Sequence, residues 1–177
     1  MITGARYKIE KAIAADADRL SELVNSAYRG DYAKQGWTTE AEILDGTRTD
    51  ADALREVIAR PHTVILKYVE DKKILGCVEL AIETKNLYLG MLTVEPGLQG
   101  KGIGKLLLNA SEVFASENGC SRIYMTVITL RTELIQWYQR HGYGDTGKRK
   151  PFAFSDPRFG QPKQPLEFMV MEKRLPK

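Results

Sequence analysis

Between Val94 and Leu108 the chain reads Val-Glu-Pro-Gly-Leu-Gln-Gly-Lys-Gly-Ile-Gly-Lys-Leu-Leu-Leu: the end of an apolar strand, a glycine-rich turn and an apolar helix. Three glycines in five positions (Gly100, Gly102 and Gly104) strip side chains from the place where that helix begins. Backbone N–H groups there are free to converge on one point, backed by the positive end of the helix dipole. Such a point prefers a phosphate.

Spacing narrows which phosphate. A P-loop needs a glycine five residues before its Gly-Lys pair, followed by Ser or Thr. Gly104-Lys105 has Gln99 in that place, Gly100-Lys101 has Glu95, and neither lysine is followed by a hydroxyl residue. The dinucleotide fingerprint G-x-G-x-x-G meets Lys105 where its last glycine should stand, and it sits past the middle of the chain rather than after a first strand. What fits is Gln-x-x-Gly-x-Gly, as Gln99, Gly102 and Gly104, directly after a strand ending Val94-Glu95-Pro96. A glycine-rich turn serving close packing alone is the other reading of the same residues.

The 177 residues suit one domain spanning residues 1–177, with 43% hydrophobic and 28% charged residues, ordinary values for a globular protein. A formal net charge of +3, with its lysines and arginines dispersed, gives no support to nucleic-acid binding and is compatible with a polyanionic ligand. Cys77 lies in an apolar run and Cys120 follows Asn118-Gly119, so both read as reduced thiols. The N-terminal residues carry no export-like apolar stretch and no run approaches membrane-spanning length, so a cytoplasmic location without membrane partners is expected. His62 and His141 lack partners at metal-ligand spacing, and no metal is expected.

Periodicity organises the rest. Residues 6–12 alternate as an edge strand, and Asp16 or Asp18 opens a helix with Leu20, Leu23, Val24 and Ala27 on one face. A turn-rich segment from Tyr28 to Trp37 leads to Thr39-Glu40-Ala41-Glu42, a capping-box form that predicts a short helix ending near Gly46. Asp50 or Asp52 starts a third helix, ended by Pro61. Thr63–Glu70, Ile74–Thr84 and Leu87–Val94 form an antiparallel meander. After the glycine turn come a helix closed at Asn118-Gly119, a strand at Arg122–Ile128, a helix at Arg131–Arg140 and a strand from Tyr143. The proline-rich residues 147–165 read as loop and Leu166–Arg174 as a final strand. The fold class is α+β, a single domain without internal repeat.

A second motif, Trp137-Tyr138-Gln139-Arg140-His141-Gly142-Tyr143, lies downstream. Together with Gln99-x-x-Gly102-x-Gly104 and the element order β-α-α-β-β-β-α-β-α-β-β, it resembles the GNAT family of N-acetyltransferases over nearly the whole chain. The resemblance implies a mixed, mostly antiparallel central sheet with helices on both faces. It also implies acetyl-CoA as co-substrate, held by Gln99, Gly100, Lys101, Gly102, Ile103, Gly104 and Lys105. The strand before the turn is splayed from its neighbour by a bulge in this family. Leu92, Thr93 and Val94 would then face the pantetheine arm through their backbone, with the Val94 N–H aimed at the reacting carbonyl oxygen. Tyr138 falls where a phenol protonates the departing thiolate, or it is an aromatic core residue.

Arg131 stands where the family often has asparagine. At a helix start it either pairs with a carboxylate such as Glu133 or meets an anion, a CoA phosphate or a substrate carboxylate. Glu79, within the apolar run 76–82, is the candidate general base, or a glutamate on a solvent-facing strand position. The acceptor should meet the N-terminal helices and their connection, where Tyr28, Trp37 and Arg48 are the candidate substrate-binding residues; Arg48 offers a planar fork for a carboxylate or is a solvated turn residue. Phe152 and Phe154 either cap that cleft or pin their loop.

The leading expectation is therefore an acetyltransferase acting on a primary amine of a small molecule or peptide by direct attack on the thioester. A non-catalytic acyl-CoA-binding domain is the alternative, and a nucleotide module is the weaker third. The resemblance leaves a homodimer open.

Overall fold

The computed structural model describes residues 2–3, 6–152 and 157–176. Among these residues, eight strands form one sheet in the order β1-β2-β4-β5-β6-β7-β10-β8. The strands are β1 (Ile2–Thr3), β2 (Tyr7–Lys11), β4 (Thr63–Glu70), β5 (Lys73–Glu83), β6 (Asn86–Val94), β7 (Arg122–Ile128), β8 (Gly144–Pro151) and β10 (Glu167–Arg174). A separate two-residue pairing joins β3 (Leu44–Asp45) to β9 (Gln161–Pro162). Among the described residues only β6 and β7 run parallel, so the sheet is mixed and mostly antiparallel.

Helices cover both faces. On one, α1 (Ala17–Tyr28) and α3 (Ala51–Ala59) seat Leu20, Leu23, Val24 and Leu54 against Ile65, Val69, Cys77 and Met91. On the other, α4 (Ile103–Glu117) and α5 (Thr132–Arg140) place Leu107, Leu108, Ile135 and Tyr138 against Leu66, Val78, Leu80, Leu89 and Ile123. Burying each such leucine contributes on the order of 1.5–3 kcal/mol, enough to make the helical stripes decide which face each element takes. The cap of α3 is Asp50, whose Oδ1 accepts from the Ala53 N–H at 2.8 Å.

Three expectations are corrected. The strand at Tyr7–Lys11 is not the sheet edge, because β1 pairs along its outer side. No helix follows Thr39: residues 41–43 form a turn, and Thr39 Oγ1 accepts from the Ala41 N–H at 3.1 Å without starting a helix. The reason is tertiary: Glu40 is drawn inward to the buried Arg29 and Arg131, and Glu42, which a capping box would turn back to the Thr39 N–H, lies exposed 3.5 Å from Lys34. The short helix of this region is instead α2 (Gly30–Ala33), inside the segment read as turns. Residues 147–151, read as loop, continue β8, whose exposed Lys148, Arg149 and Lys150 suit an edge strand.

The feature that shapes the site is a bulge in β6. Its register against β5 shifts between Cys77 and Glu79, and Met91 takes a φ of +52°. Leu87 and Leu89 face α4, Met91 turns to the α1 face, and Leu92 and Val94 return to the α4 face. One extra residue thus changes the parity of the strand. Pairing between β6 and β7 covers only Asn86–Tyr88 against Arg122–Tyr124. Beyond Tyr88 the two strands diverge.

Candidate active site

The divergence opens a cleft between β6 and β7. The N–H of Glu95 bonds to Leu75 of β5 at 2.9 Å, so alternation turns the N–H of Val94 the other way, toward the cleft. The carbonyl of Leu92 lies on that same side and accepts from the Tyr28 hydroxyl at 2.8 Å. Thr93 points away, fully buried, its Oγ1 donating to the Met91 carbonyl at 2.9 Å across the bulge.

Two cavities meet at Leu92 and Leu134. The first, about 270 Å³, lies over the glycine turn and is lined by Trp37, Val94, Gly102, Gly104, Lys105 and Trp137. Gly100 and Gly102 hold φ of +81° and +88°, a conformation that disfavours any side chain. Among the described residues none of the N–H groups of Gly100 through Lys105 has an acceptor; the first that does, Leu106, bonds to Gly102. No acidic side chain occupies the first turn of α4. The result is an open row of donors at an uncompensated helix start, an arrangement that suits an anion.

Gln99 plays a part its motif position does not reveal. Its Oε1 accepts from the N–H groups of Trp37 and Thr38 at 2.6 and 3.3 Å, and its Nε2 donates to the Val94 carbonyl at 3.3 Å. It ties the strap after α2 to the glycine turn. A Cβ at Gly36 would meet Gln99 Oε1 at 2.6 Å, so a side chain there would displace the Gln99 amide from these hydrogen bonds.

The second cavity, about 390 Å³, runs from Leu92 toward α1 and α3 and includes Tyr28, Arg48, Glu79, Tyr88, Tyr138 and Phe168. Tyr138 is placed by the end of its helix. Gly142 at φ +89° lets the Tyr143 N–H return to the Tyr138 carbonyl at 3.1 Å, and the Tyr143 ring packs edge-on against Tyr138 at 5.8 Å. The Tyr138 hydroxyl has no hydrogen bond among the described residues. Burial pushes its pKa far above the ordinary phenol value, opposed by the charge of Arg131. It therefore stays protonated.

Glu79 faces this cavity rather than open solvent, with its side chain 18% exposed. Burial raises its pKa, against the charges of Arg60, 3.9 Å away, and Arg48. Arg48 lies 5.4 Å from the centre of the Tyr28 ring, and its turn is fixed by Asn25, whose Oδ1 accepts from the Arg48 and Thr49 N–H groups at 2.7 and 3.2 Å. Tyr28 lines the same cavity, its pKa pushed up to about 12 by burial. Trp37 does not join them: it stands at the glycine-turn cavity, half exposed. Phe152 lines the second cavity, and Phe154 lies outside the described residues.

Arg131 has a partner other than Glu133. Its Nη1 meets Glu40 Oε1 at 3.2 Å, while Nη2 donates to Thr38 Oγ1 at 2.8 Å; Thr38 in turn donates to Glu133 at 2.9 Å. Glu40 Oε2 accepts from Arg29 at 3.1 Å, and Arg29 also reaches the carbonyls of Asp45, Gly46 and Thr47. Arg29 and Glu40 were invisible as site residues in the sequence, because Arg29 stands in no motif, Glu40 stood only in a helix-capping pattern, and 91 positions separate it from Arg131.

The sequence matches the Acetyltransferase (GNAT) family over residues 18–143. It is 34% identical to a streptothricin acetyltransferase of Streptomyces lavendulae over 170 residues, covering 81% of this chain and 85% of that protein. The fold is similar to that of the PaiA N-acetyltransferase from Thermoplasma acidophilum, solved in complex with coenzyme A (TM-score 0.69, 20% identity, 96% of this chain and 99% of that one). It is likewise similar to a nourseothricin acetyltransferase (TM-score 0.67, 17% identity, 97% and 100% covered). With its splayed strands, bulge and glycine turn beside that match, the chain belongs to the GNAT acetyltransferase family.

Proposed function

We propose that the protein transfers an acetyl group from acetyl-CoA to a primary amine by direct attack. The observation that carries this is the continuity of the two cavities at Leu92 and Leu134: an anion-binding glycine turn leads along an unpaired strand edge to a phenol and a carboxylate. The open N–H groups of Gly100 to Lys105 suit a pyrophosphate, and the outward N–H of Val94 suits the thioester oxygen. When bound, acetyl-CoA supplies the acetyl thioester as electrophile. Glu79 takes the proton of the amine, directly or through water, and Tyr138 donates toward the departing sulfur. Relatives named for streptothricin and nourseothricin make a streptothricin-type antibiotic one acceptor to include.

The test is thiol release from acetyl-CoA across a panel of amines, antibiotics and peptide N-termini. Turnover with at least one class supports the reading; tight CoA binding without turnover on any of them supports a binding domain instead. Gly102→Val should weaken CoA binding by about tenfold, because a left-handed backbone costs a non-glycine residue on the order of 1–2 kcal/mol. Calorimetry checks this, and an unchanged dissociation constant removes the turn from the binding site.

The pH profile tests the base. A carboxylate whose pKa is raised by burial accepts a proton only above that pKa, so kcat/KM falls as pH drops through it. Glu79→Gln, which cannot titrate, should flatten this acid limb and lower the neutral-pH rate by about 100-fold. A limb that persists in the variant assigns it to another group.

A further inference from the structure

We infer that the acceptor carries an anionic group, a carboxylate in its simplest form, and that Arg48 receives it; this rests on the transferase reading above. Among the described residues, the charged side chains lining the second cavity are Arg29, Arg48 and Arg131 against Glu40 and Glu79. Arg29 and Arg131 are both spent on Glu40, at 3.1 and 3.2 Å. Glu79 has Arg60 at 3.9 Å. Arg48 differs: among the described residues its guanidinium makes no hydrogen bond and no ion pair, only the ring contact with Tyr28.

That vacancy is not looseness. Asn25 fixes the turn from α1 by accepting from the Arg48 and Thr49 N–H groups and by donating to the Thr49 carbonyl at 2.9 Å. Burial works against the charge, and Glu40, Tyr28, Tyr88 and Glu79 outweigh it, so the side chain remains a cation. A guanidinium presents five donors in a planar fork, and leaving them unanswered in a partly buried site is costly. A carboxylate answers two of them at once.

The rest of the lining fits the remainder of such a molecule. Glu79 is close enough to Arg48 for each to shift the other's ionisation, and it offers the amine end its carboxylate. Phe152, Phe159 and Phe168 line the same cavity and suit an apolar spacer. The excess of one guanidinium over the carboxylates opposes an acceptor that brings only positive charge. An amino acid or a short amino-carboxylate matches the site; a simple polyamine does not.

The experiment compares kcat/KM for L-lysine, L-lysine amide and 1,5-diaminopentane in the wild type, Arg48→Gln and Arg48→Lys. We expect the wild type to prefer L-lysine by about ten- to a hundredfold, the range of a hydrogen-bonded charge pair. Arg48→Gln should collapse that ratio toward one through KM for lysine, and Arg48→Lys should restore it in part. A wild type that favours 1,5-diaminopentane overturns the inference, as does a variant that depresses all three acceptors alike. Calorimetry with 6-acetamidohexanoate and the CoA-loaded protein separates the two readings. Binding that is lost in Arg48→Gln, in a protein that acetylates nothing, keeps the anion subsite and ends the transferase reading. Acetyl transfer without any such binding does the reverse.

Discussion

Replacing Tyr138 with phenylalanine should lower kcat by about 100-fold or more while leaving KM for acetyl-CoA nearly unchanged. The substitution is clean for a structural reason. The ring packs between Trp137 and Tyr143, with centroids 5.1 and 5.8 Å away, and phenylalanine keeps both contacts. The hydroxyl has no hydrogen bond among the described residues, so its removal leaves no orphaned partner. Its only chemistry lies toward the cavity. In the proposed reaction a phenol held so firmly protonated would act first as a hydrogen-bond donor to the departing sulfur, with the nearby charge of Arg131 favouring release of the proton as negative charge accumulates. Steady-state kinetics with a saturating amine reads the effect. An unaltered kcat would assign the tyrosine to packing alone.

The largest stability effect is expected at Glu40. Its side chain is 9% exposed and sits between two guanidiniums exposed by 7% and 8%. Removing one partner from a buried ion network leaves uncompensated charge and costs about 3–5 kcal/mol. Here Glu40→Ala strands two cations at once, including an Arg131 whose Nε already lacks a partner among the described residues. For a chain of this size each kcal/mol lowers Tm by roughly 2–4 °C, so a fall of about 6–20 °C is expected by thermal denaturation. Activity should fall as well, because Arg29 holds the turn that presents Arg48 and Arg131 holds Thr38 of the strap. A drop of about 1 °C or less would mean that solvent replaces the carboxylate.

Local chemistry was legible wherever it was self-contained. Asp50 caps its helix and Gly142 ends another, because each satisfies backbone groups within a few residues of itself. The meander and the helix after Gly102 follow from strand and helix periods that any neighbour would read alike. The capping-box pattern at Thr39 failed for the opposite reason. Glu40, which would sit in the first turn of that helix, is instead held by the buried Arg29 and Arg131, and Glu42, the residue that would have closed the box, lies exposed beside Lys34.

By itself, then, the sequence determined the strand-turn-helix unit, its open row of N–H groups and the family it marks, since glycine placement and apolar period act over a few residues. Only the tertiary structure decided what each site residue faces. Met91 at positive φ reverses the parity of β6, a switch no composition announces. Gln99 ties the strap at Trp37 and Thr38 to the glycine turn, Glu79 turns into the cavity, and Arg131 finds Glu40. Among the described residues Arg48 is left with its fork unfilled, because each carboxylate near it there is already engaged or out of bonding reach. Those outcomes depend on which chain segments meet in space, and pairing energies between segments tens of residues apart, not local propensity, settle them.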